Sequence, residues 1–547
     1  MEKLADFHLI RKNTLGGTMK IRRHLALMMS LLLGSSLAIA ACADDPAPSS
    51  DAGDSASNSI GDTLVVDTSF DLKTADPGRQ YEPTGAIINK AVYQTLVTLN
   101  DDDLKNPVPE LADFELSEDQ KVLTVTMKEG NVFSNGDPVT VDDAVFSLER
   151  VQGLKGNPSF LLEGITVEKV DDTTLTLTSD DPMPEIPFKL ANPSLSVVNS
   201  ALVQENGGTT DESDAAEQFL NQTSAGSGPY QMDSYDVASE VVLVPNPEWT
   251  GEDVEFQRIV IRNVQGATQQ LNVQGGQSHI ALDLSPQQAD QIDGTTAKVD
   301  TQPSETVVFL LLNQDAEINK WTSNPDFVQA VRQSIDYDKI VELSGQGAKQ
   351  AAGFIPNIIV GGLEDDATNS FDPEAATAAL ERSGYNGDEI SLAYANDLTV
   401  KGIELQTFAA AIQEQLKNAG INVVLAPAPV ATELDAYRGG TEEIGLWYWN
   451  PDYFHPASYL VFSPGEMVGL RAGWASGADD AVTAAHDAAE SAKGDDIESA
   501  YEEFQKAQNL TGPFIPLVQP PKSVGYAKDL TELGLNPVWA IDVSKVR

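Results

Sequence analysis

Residues 123–150 read LTVTMKEGNVFSNGDPVTVDDAVFSLER. Leu123 to Lys128 alternates apolar and polar side chains, which is the period of a strand with one buried face. Gly130 and Gly136 then bracket an exposed loop, and Thr140 starts a helix that carries Asp143 at its third position. A threonine hydroxyl caps the third helical amide while the Asp carboxylate reaches back to the threonine amide, and the anion suits the positive end of the helix. The segment therefore predicts a strand, a glycine turn, a loop and a capped helix in immediate succession.

The same alternation of strand and helix recurs along the chain. Thr63 to Asp67 is a short β-rich run, and Ala86 to Leu99 has apolar residues at helical spacing before a turn at Asn100. Glu255 to Val264 predicts a strand, and Ala267 to Leu284 predicts a helix, a turn at Gly275-Gly276 and a further strand. Thr306 to Asn313 is a fully apolar strand, suited to a crossing between lobes. Glu404 to Ala419 is an amphipathic helix with Phe408, Ile412 and Leu416 on one side and Gly420 as its C-cap, leading into a strand at Ile421–Leu425. Asp479 to Leu510 reads as helix and Gly512 to Val518 as a last strand. This order is that of an α/β protein. At 547 residues with 41% hydrophobic side chains, the chain exceeds what one core supports, so two or more lobes are expected.

One stretch is chemically unlike the rest. Ile444 to Leu460 reads IGLWYWNPDYFHPASYL and holds six aromatic side chains, in a chain whose Phe, Trp and Tyr together make up 7%. Rings at this density beside one carboxylate, Asp452, and one imidazole, His455, suit the wall of a ligand cleft. A buried strand followed by a tight turn at Asn450-Pro451-Asp452 would use the same residues.

Composition excludes several functions. The chain has 34 basic and 83 acidic residues, a net charge of −49. The acids are spread along its whole length, so nucleic acid and anionic lipid are unsuitable partners, and a salt-rich habitat is expected. Cys42 is the only cysteine, which rules out an intrachain disulfide and a cysteine-based zinc site. The histidines, His8, His24, His279, His455 and His486, are scattered, and neither H-E-x-x-H nor G-x-S-x-G occurs, so no catalytic or metal set is expected and no cofactor is implied. Met19-Lys-Ile-Arg-Arg-His begins a charged n-region, and LALMMSLLLGSSLAIA follows as a signal-peptide core too short for a membrane span. Synthesis from Met1 or from Met19 is compatible with this pattern. The run ends Leu37-Ala38-Ile39-Ala40-Ala41-Cys42, which resembles a bacterial lipobox and implies lipidation at Cys42. Ala43 to Ser59 is small, polar and acidic, and reads as a flexible tether.

The opening stretch, taken as Gly130-x-x-Phe133-x-x-Gly136-x-x-Val-Thr140-x-x-Asp143-x-Val-Phe146-Ser147, resembles the signature of the family 5 solute-binding proteins of ABC importers, the group that contains the oligopeptide- and dipeptide-binding proteins. The resemblance continues in Gly226-Ser-Gly228-Pro229-Tyr230, in Asn246-Pro247-Glu-Trp249-Thr-Gly251, and in the run from Phe327 through Arg332 to Ile340, where three residues of the family pattern are missing before Asp338. It covers roughly residues 60–547. It implies a two-lobed periplasmic-binding-protein fold (type II, cluster C) with a hinge, of which Gly512–Val518 resembles the final crossing strand, and an extra subdomain, and it makes Val139 and Phe146 core residues. The implied division is a leader at 1–41, a tether at 42–59, lobe I at 60–305 with its subdomain at about 97–205, lobe II at 306–511, and a return to lobe I at 512–547.

Trp449-Asn-Pro-Asp452-Tyr453-x-x-Pro456-x-Ser-Tyr459-Leu460 is similar to a segment of the oligopeptide-binding branch whose aspartate pairs with the peptide's α-ammonium. Carried to this chain, Asp452 is the ammonium acceptor, Trp447 and Trp449 are its walls, and Tyr453 and Tyr459 line side-chain pockets. That branch has an arginine three residues before the tryptophan, where this chain has Leu446; Arg471 is the substitute candidate for a substrate carboxylate. The implied function is a non-enzymatic, monomeric, extracytoplasmic lipoprotein that closes on a peptide and delivers it to an ABC permease and its ATPase subunits, touching the membrane through its lipid alone. An oligosaccharide, an opine or a metal chelate as the guest, or a hydrolase activity, are the alternatives.

Overall fold

The computed structural model describes residues 61–547. The expected leader, Cys42 and the tether lie outside the described residues.

Two large sheets dominate. The first places the strand Thr63–Thr68 between Arg258–Asn263 and Ile280–Leu284, both parallel to it. Glu240–Pro245 and Tyr230–Asp236 extend one side antiparallel, and Pro521–Ala527 and Ala297–Pro303 the other. The second runs Lys349–Gln350, Phe514–Gln519, Val307–Leu312, Ile444–Trp449, Ile390–Ala395, Val423–Ala428. All six residues of Val307–Leu312 are buried, because both faces of this strand are covered. Val308, Leu310 and Leu312 point to the cluster holding Phe408 and Ile412, whereas Phe309 and Leu311 point to one holding Phe354, Phe462 and Phe514. An apolar run without alternation is what such two-sided burial requires.

A third, antiparallel sheet joins Ala112–Leu116, Val122–Met127, Thr174–Ser179 and Ile165–Lys169. The helix Val141–Leu154 packs on it. Thr140 caps this helix reciprocally: its Oγ1 accepts from the Asp143 amide at 3.4 Å, and Asp143 Oδ2 accepts from the Thr140 amide at 2.9 Å. The other Asp143 oxygen accepts from the Ser200 amide at 2.8 Å, so one carboxylate caps the start of one helix and fixes the start of another, Ser200–Glu205. Val139 and Phe146 are buried, as the family pattern implies. On the same helix, Arg150 is sealed in with a bidentate contact to Asp76, at 2.7 and 2.6 Å, and two contacts to Asp214, at 2.9 and 3.0 Å.

The glycine motif has a packing reason. Helix Pro83–Val92 stops short of the expected Leu99, and Val97–Asn100 is a strand instead. The Val92 carbonyl, no longer committed to the helix, accepts from the Gly228 amide at 2.9 Å. A Cβ on Gly226 would lie 2.2 Å from that carbonyl oxygen, and one on Gly228 would lie 2.5 Å from its carbon. Only glycine permits this approach. Asn246 then locks the turn, donating from Nδ2 to the Gly228 carbonyl at 2.8 Å.

Two further expectations are revised. Asp479 to Leu510 is not one helix but two, Asp480–Glu490 and Asp496–Thr511, separated by a turn in which Gly494 takes φ 53°. The strands at Thr306–Asn313 and Gly512–Val518 do not themselves cross between the large sheets; Val307–Leu312 and Phe514–Gln519 lie side by side within the second sheet. The chain passes between sheets at Ser304–Thr306 and again at Pro520. These links are tied together, Ser304 Oγ donating to the Pro520 carbonyl at 2.5 Å and Gln519 Nε2 to the Ser304 carbonyl at 2.6 Å.

Candidate functional site

A cleft of about 1160 Å³ opens between residues of the two large sheets. It is larger than the roughly 300–1,000 Å³ of drug-sized pockets. Thr68, Ser69 and Asp283 line it from the first sheet and its loops, and Thr306, Tyr448 and Asn450 from the second. Thr306 Oγ1 donates to Asn450 Oδ1 at 2.6 Å, which anchors the exit of strand Ile444–Trp449 to the first of the two links. The turn that follows carries Pro451, Asp452, Tyr453 and Phe454 into the cleft wall.

Asp452 accepts a hydrogen bond from Tyr81 Oη at 2.8 Å, and this is its sole protein donor among the described residues. Burial pushes its carboxyl above the usual carboxylate range, and the Tyr81 hydrogen bond opposes that rise. Tyr453 sits under the Lys189 ammonium, 5.0 Å from the ring centroid. His455 is a turn residue: it is buried, its Nδ1 accepts from the Ala457 amide at 3.2 Å, and burial together with Lys189 holds its pKa down at about 3. It is therefore neutral, and it is not poised as a base.

Four candidates lie away from the cleft lining. Strand alternation turns Tyr448 to the cleft and Trp447 and Trp449 the other way. Trp447 is buried, stacked on Tyr437 with ring centroids 4.6 Å apart, and donates Nε1 to Glu442 Oε2 at 2.8 Å. Trp449 packs edge-on against Phe462 at 5.2 Å. Tyr459 is a core residue in the same aromatic cluster, although its buried hydroxyl, like the Trp449 indole N–H, has no partner among the described residues. Arg471 lies over the Tyr437 ring at 4.7 Å, beside Trp447 rather than Asp452, so it is not placed to meet a substrate carboxylate in this cleft.

Tyr81, Lys401, Glu305 and Lys522 were not among the sequence candidates. Lys401 and Lys522 are the cationic residues of the cleft lining, against six acids. Lys401 is paired with Glu305 at 2.6 Å. Lys522 has no acceptor within ion-pairing or hydrogen-bonding distance among the described residues, and burial, with Lys401 beside it, lowers its pKa from 10.5 to about 8 against the pull of Glu305 and Asp283. A lysine immediately after an apolar strand and a Pro-Pro pair was the available signal. It carries no motif.

Two lobes carrying separate mixed sheets, joined by paired links and flanking a deep cleft, define a periplasmic-binding-protein fold. The sequence matches the family described as "Bacterial extracellular solute-binding proteins, family 5 Middle" over residues 106–466, and the chain belongs to that family. It is 28% identical over 412 residues to the Escherichia coli protein named "Probable D,D-dipeptide-binding periplasmic protein DdpA", covering 73% of this chain and 77% of the relative. Among solved structures it is similar to the ABC transporter substrate-binding protein CtaP of Listeria monocytogenes, with a TM-score of 0.76, 18% identity, and 88% and 98% of the two chains covered. A second is DppA of Helicobacter pylori in complex with the peptide STSA, with a TM-score of 0.69, 20% identity, and 88% and 97% covered. No helix among the described residues is long and apolar enough to cross a membrane.

Proposed function

We propose that this solute-binding protein captures peptides with a free amino terminus and delivers them to an ABC permease while anchored outside the cell by lipid on Cys42. The observation that carries the reading is Asp452: a partly buried carboxylate on the cleft wall, with one hydrogen bond from Tyr81 and no cationic partner among the described residues. A carboxylate short of donors and partly shielded from water binds an ammonium by short, charge-assisted hydrogen bonds. Tyr453 and Phe454 add apolar surface beside it.

Closure follows from the links. Ser304–Thr306 and Pro520 are short and hydrogen-bonded to each other, so rotation there moves one sheet against the other as a unit. Tyr81 and Asp452, 371 residues apart in sequence, meet at 2.8 Å across the cleft, and an arriving ammonium competes for the same oxygen. Nothing in this reading breaks a bond.

The test is calorimetry with matched tetrapeptides bearing free or acetylated amino termini. Acetylation should weaken wild-type binding by at least about tenfold, the effect of losing one charged hydrogen bond. Asp452→Asn should erase that difference. Equal affinity of the wild type for both peptides removes Asp452 from the account.

A further inference from the structure

The two links between the large sheets carry charges of opposite sign. Glu305 lies within the first link, Ser304–Thr306, and Lys522 follows the second, on the strand Pro521–Ala527 of the first sheet. A third charge comes from across the cleft. Lys401 sits at the tip of a hairpin, Thr399–Val400 and Ile403–Glu404, whose Val400 and Ile403 are buried in one cluster with Val308 and Leu310 of the second sheet. The carboxylate thus rides on the hinge, with one lysine fixed to each sheet.

The pairing of this trio is incomplete. Glu305 Oε1 accepts from Lys401 Nζ at 2.6 Å, whereas Oε2, also buried, has no partner among the described residues. Burial alone would push the Glu305 carboxyl up, but Lys401 and Lys522 together hold it below its ordinary value. Lys522 has the opposite deficit. Glu305 and Asp283 both attract it, yet neither lies within ion-pairing distance, and Asp283 already accepts from Thr68 Oγ1, the Ser69 amide and Gln269 Nε2. Of the two carboxylates, only Glu305 has an oxygen to spare.

The contact that Lys401 makes belongs to a closed cleft. Lys401 takes φ 48° and Gly402 φ 79°, the form favoured by two-residue hairpin turns, which ordinarily place Asn, Asp or Gly where this chain has lysine. The tip is pressed onto the first sheet's side, since a Cβ on Gly402 would lie 2.6 Å from Ser285 Cα. Lys401, Gly402 and Ser285 all line the cleft. Rotation at the links that opens the cleft lifts the hairpin from Ser285 and draws Lys401 away from Glu305, while Lys522 stays beside the links. A carboxylate left unpaired in a shielded place is costly, and a second cation at hand removes that cost.

We propose that Glu305 exchanges partners as the cleft moves: Lys401 holds it in the closed form and Lys522 takes it in the open form. Neither state then strands the carboxylate, and the two remain close enough in energy to interconvert. This rests on the hinge reading above and is independent of which guest is bound.

The experiment measures the opening without any guest. Cysteines at the exposed positions Thr268, on helix Gly266–Gly275, and Thr432, on helix Val430–Arg438, carry spin labels in the full chain with Cys42→Ser, and double electron–electron resonance reads the distance between them. The protein should show a main, shorter distance and a minor, longer one. Lys401→Met should raise the ratio of long to short by about fivefold, the worth of one partly shielded ion pair, and Lys522→Met should lower it. In a Glu305→Gln background neither lysine substitution should move the ratio. Circular dichroism and a thermal melt establish that each variant is folded. Lysine substitutions that shift the ratio in the same direction, that leave it unmoved, or that act equally without the Glu305 charge overturn the exchange and leave the hinge standing. One distance in every protein, unchanged on adding a mixed tripeptide library, overturns the hinge reading and this inference with it.

Discussion

Removing the Lys522 charge should make the ligand-free protein more stable, and the size follows from its surroundings. Burial and the neighbouring Lys401 bring its pKa from 10.5 to about 8. At about 1.36 kcal/mol per pH unit, keeping this lysine charged in the folded state costs about 3 kcal/mol. The sign is fixed by proton binding. Below pH 8 both folded and unfolded chains hold the proton and the full cost is present. Between 8 and 10.5 the folded state releases it while the unfolded state keeps it, so wild-type stability rises. Above 10.5 the cost has vanished. Lys522→Met, which keeps the length and apolar stem of the side chain, removes the cost at every pH. With an unfolding entropy of about 2.1 cal/mol/K per residue over roughly 490 residues, 3 kcal/mol raises Tm by about 3 °C. Differential scanning calorimetry of both proteins without ligand, at pH 7 and at pH 10, reads this directly. The gap should be widest at pH 7 and should shrink towards pH 10. A variant that melts at or below the wild type at pH 7 would mean that Lys522 is neutralised in place.

Other parts of the structure make separate claims. Arg150→Met strands the Asp76 and Asp214 carboxylates in the interior and should cost about 3–5 kcal/mol, seen as a lower urea midpoint. Burial and the nearby Glu433 raise the Glu442 carboxyl to about 8, so its contribution to stability is present below the ordinary value of 4.5 and is lost as pH climbs towards 8. Glu442→Gln, which still accepts from Trp447, should therefore match the wild type near pH 4 and melt higher at pH 8 in a fluorescence melt across that range. Cys42→Ala should move the protein from the membrane fraction to the medium or periplasm; an unchanged distribution on fractionation would remove the lipid anchor.

How much of this was legible depended on whether the information was local. The capped helix at Thr140 was readable because Thr140 and Asp143 are three residues apart and their hydrogen bonds are short-range. The apolar strand Val307–Leu312 was readable because two-sided burial abolishes alternation. Asp452 could be singled out because its turn, its prolines and its aromatic neighbours sit in one continuous stretch. The same stretch misled at Trp447 and Trp449. Chemistry suggested cleft walls, but a strand shows alternate residues to opposite faces, and nothing in IGLWYW says which face is which. Tyr81 and Lys522 were out of reach for a different reason. They meet the cleft through pairings hundreds of residues long, and an isolated tyrosine or lysine has no period to betray it. The helix end at Val92 was likewise set by the distant Gly226 and Gly228, whose packing no window around Ala86–Leu99 contains.

The guest that the protein carries from its own host decides the central claim. Native mass spectrometry of the purified, undenatured protein, followed by release and fragmentation of whatever is bound, should find short peptides with unmodified amino termini. A neutral oligosaccharide or a metal chelate in their place would contradict the account.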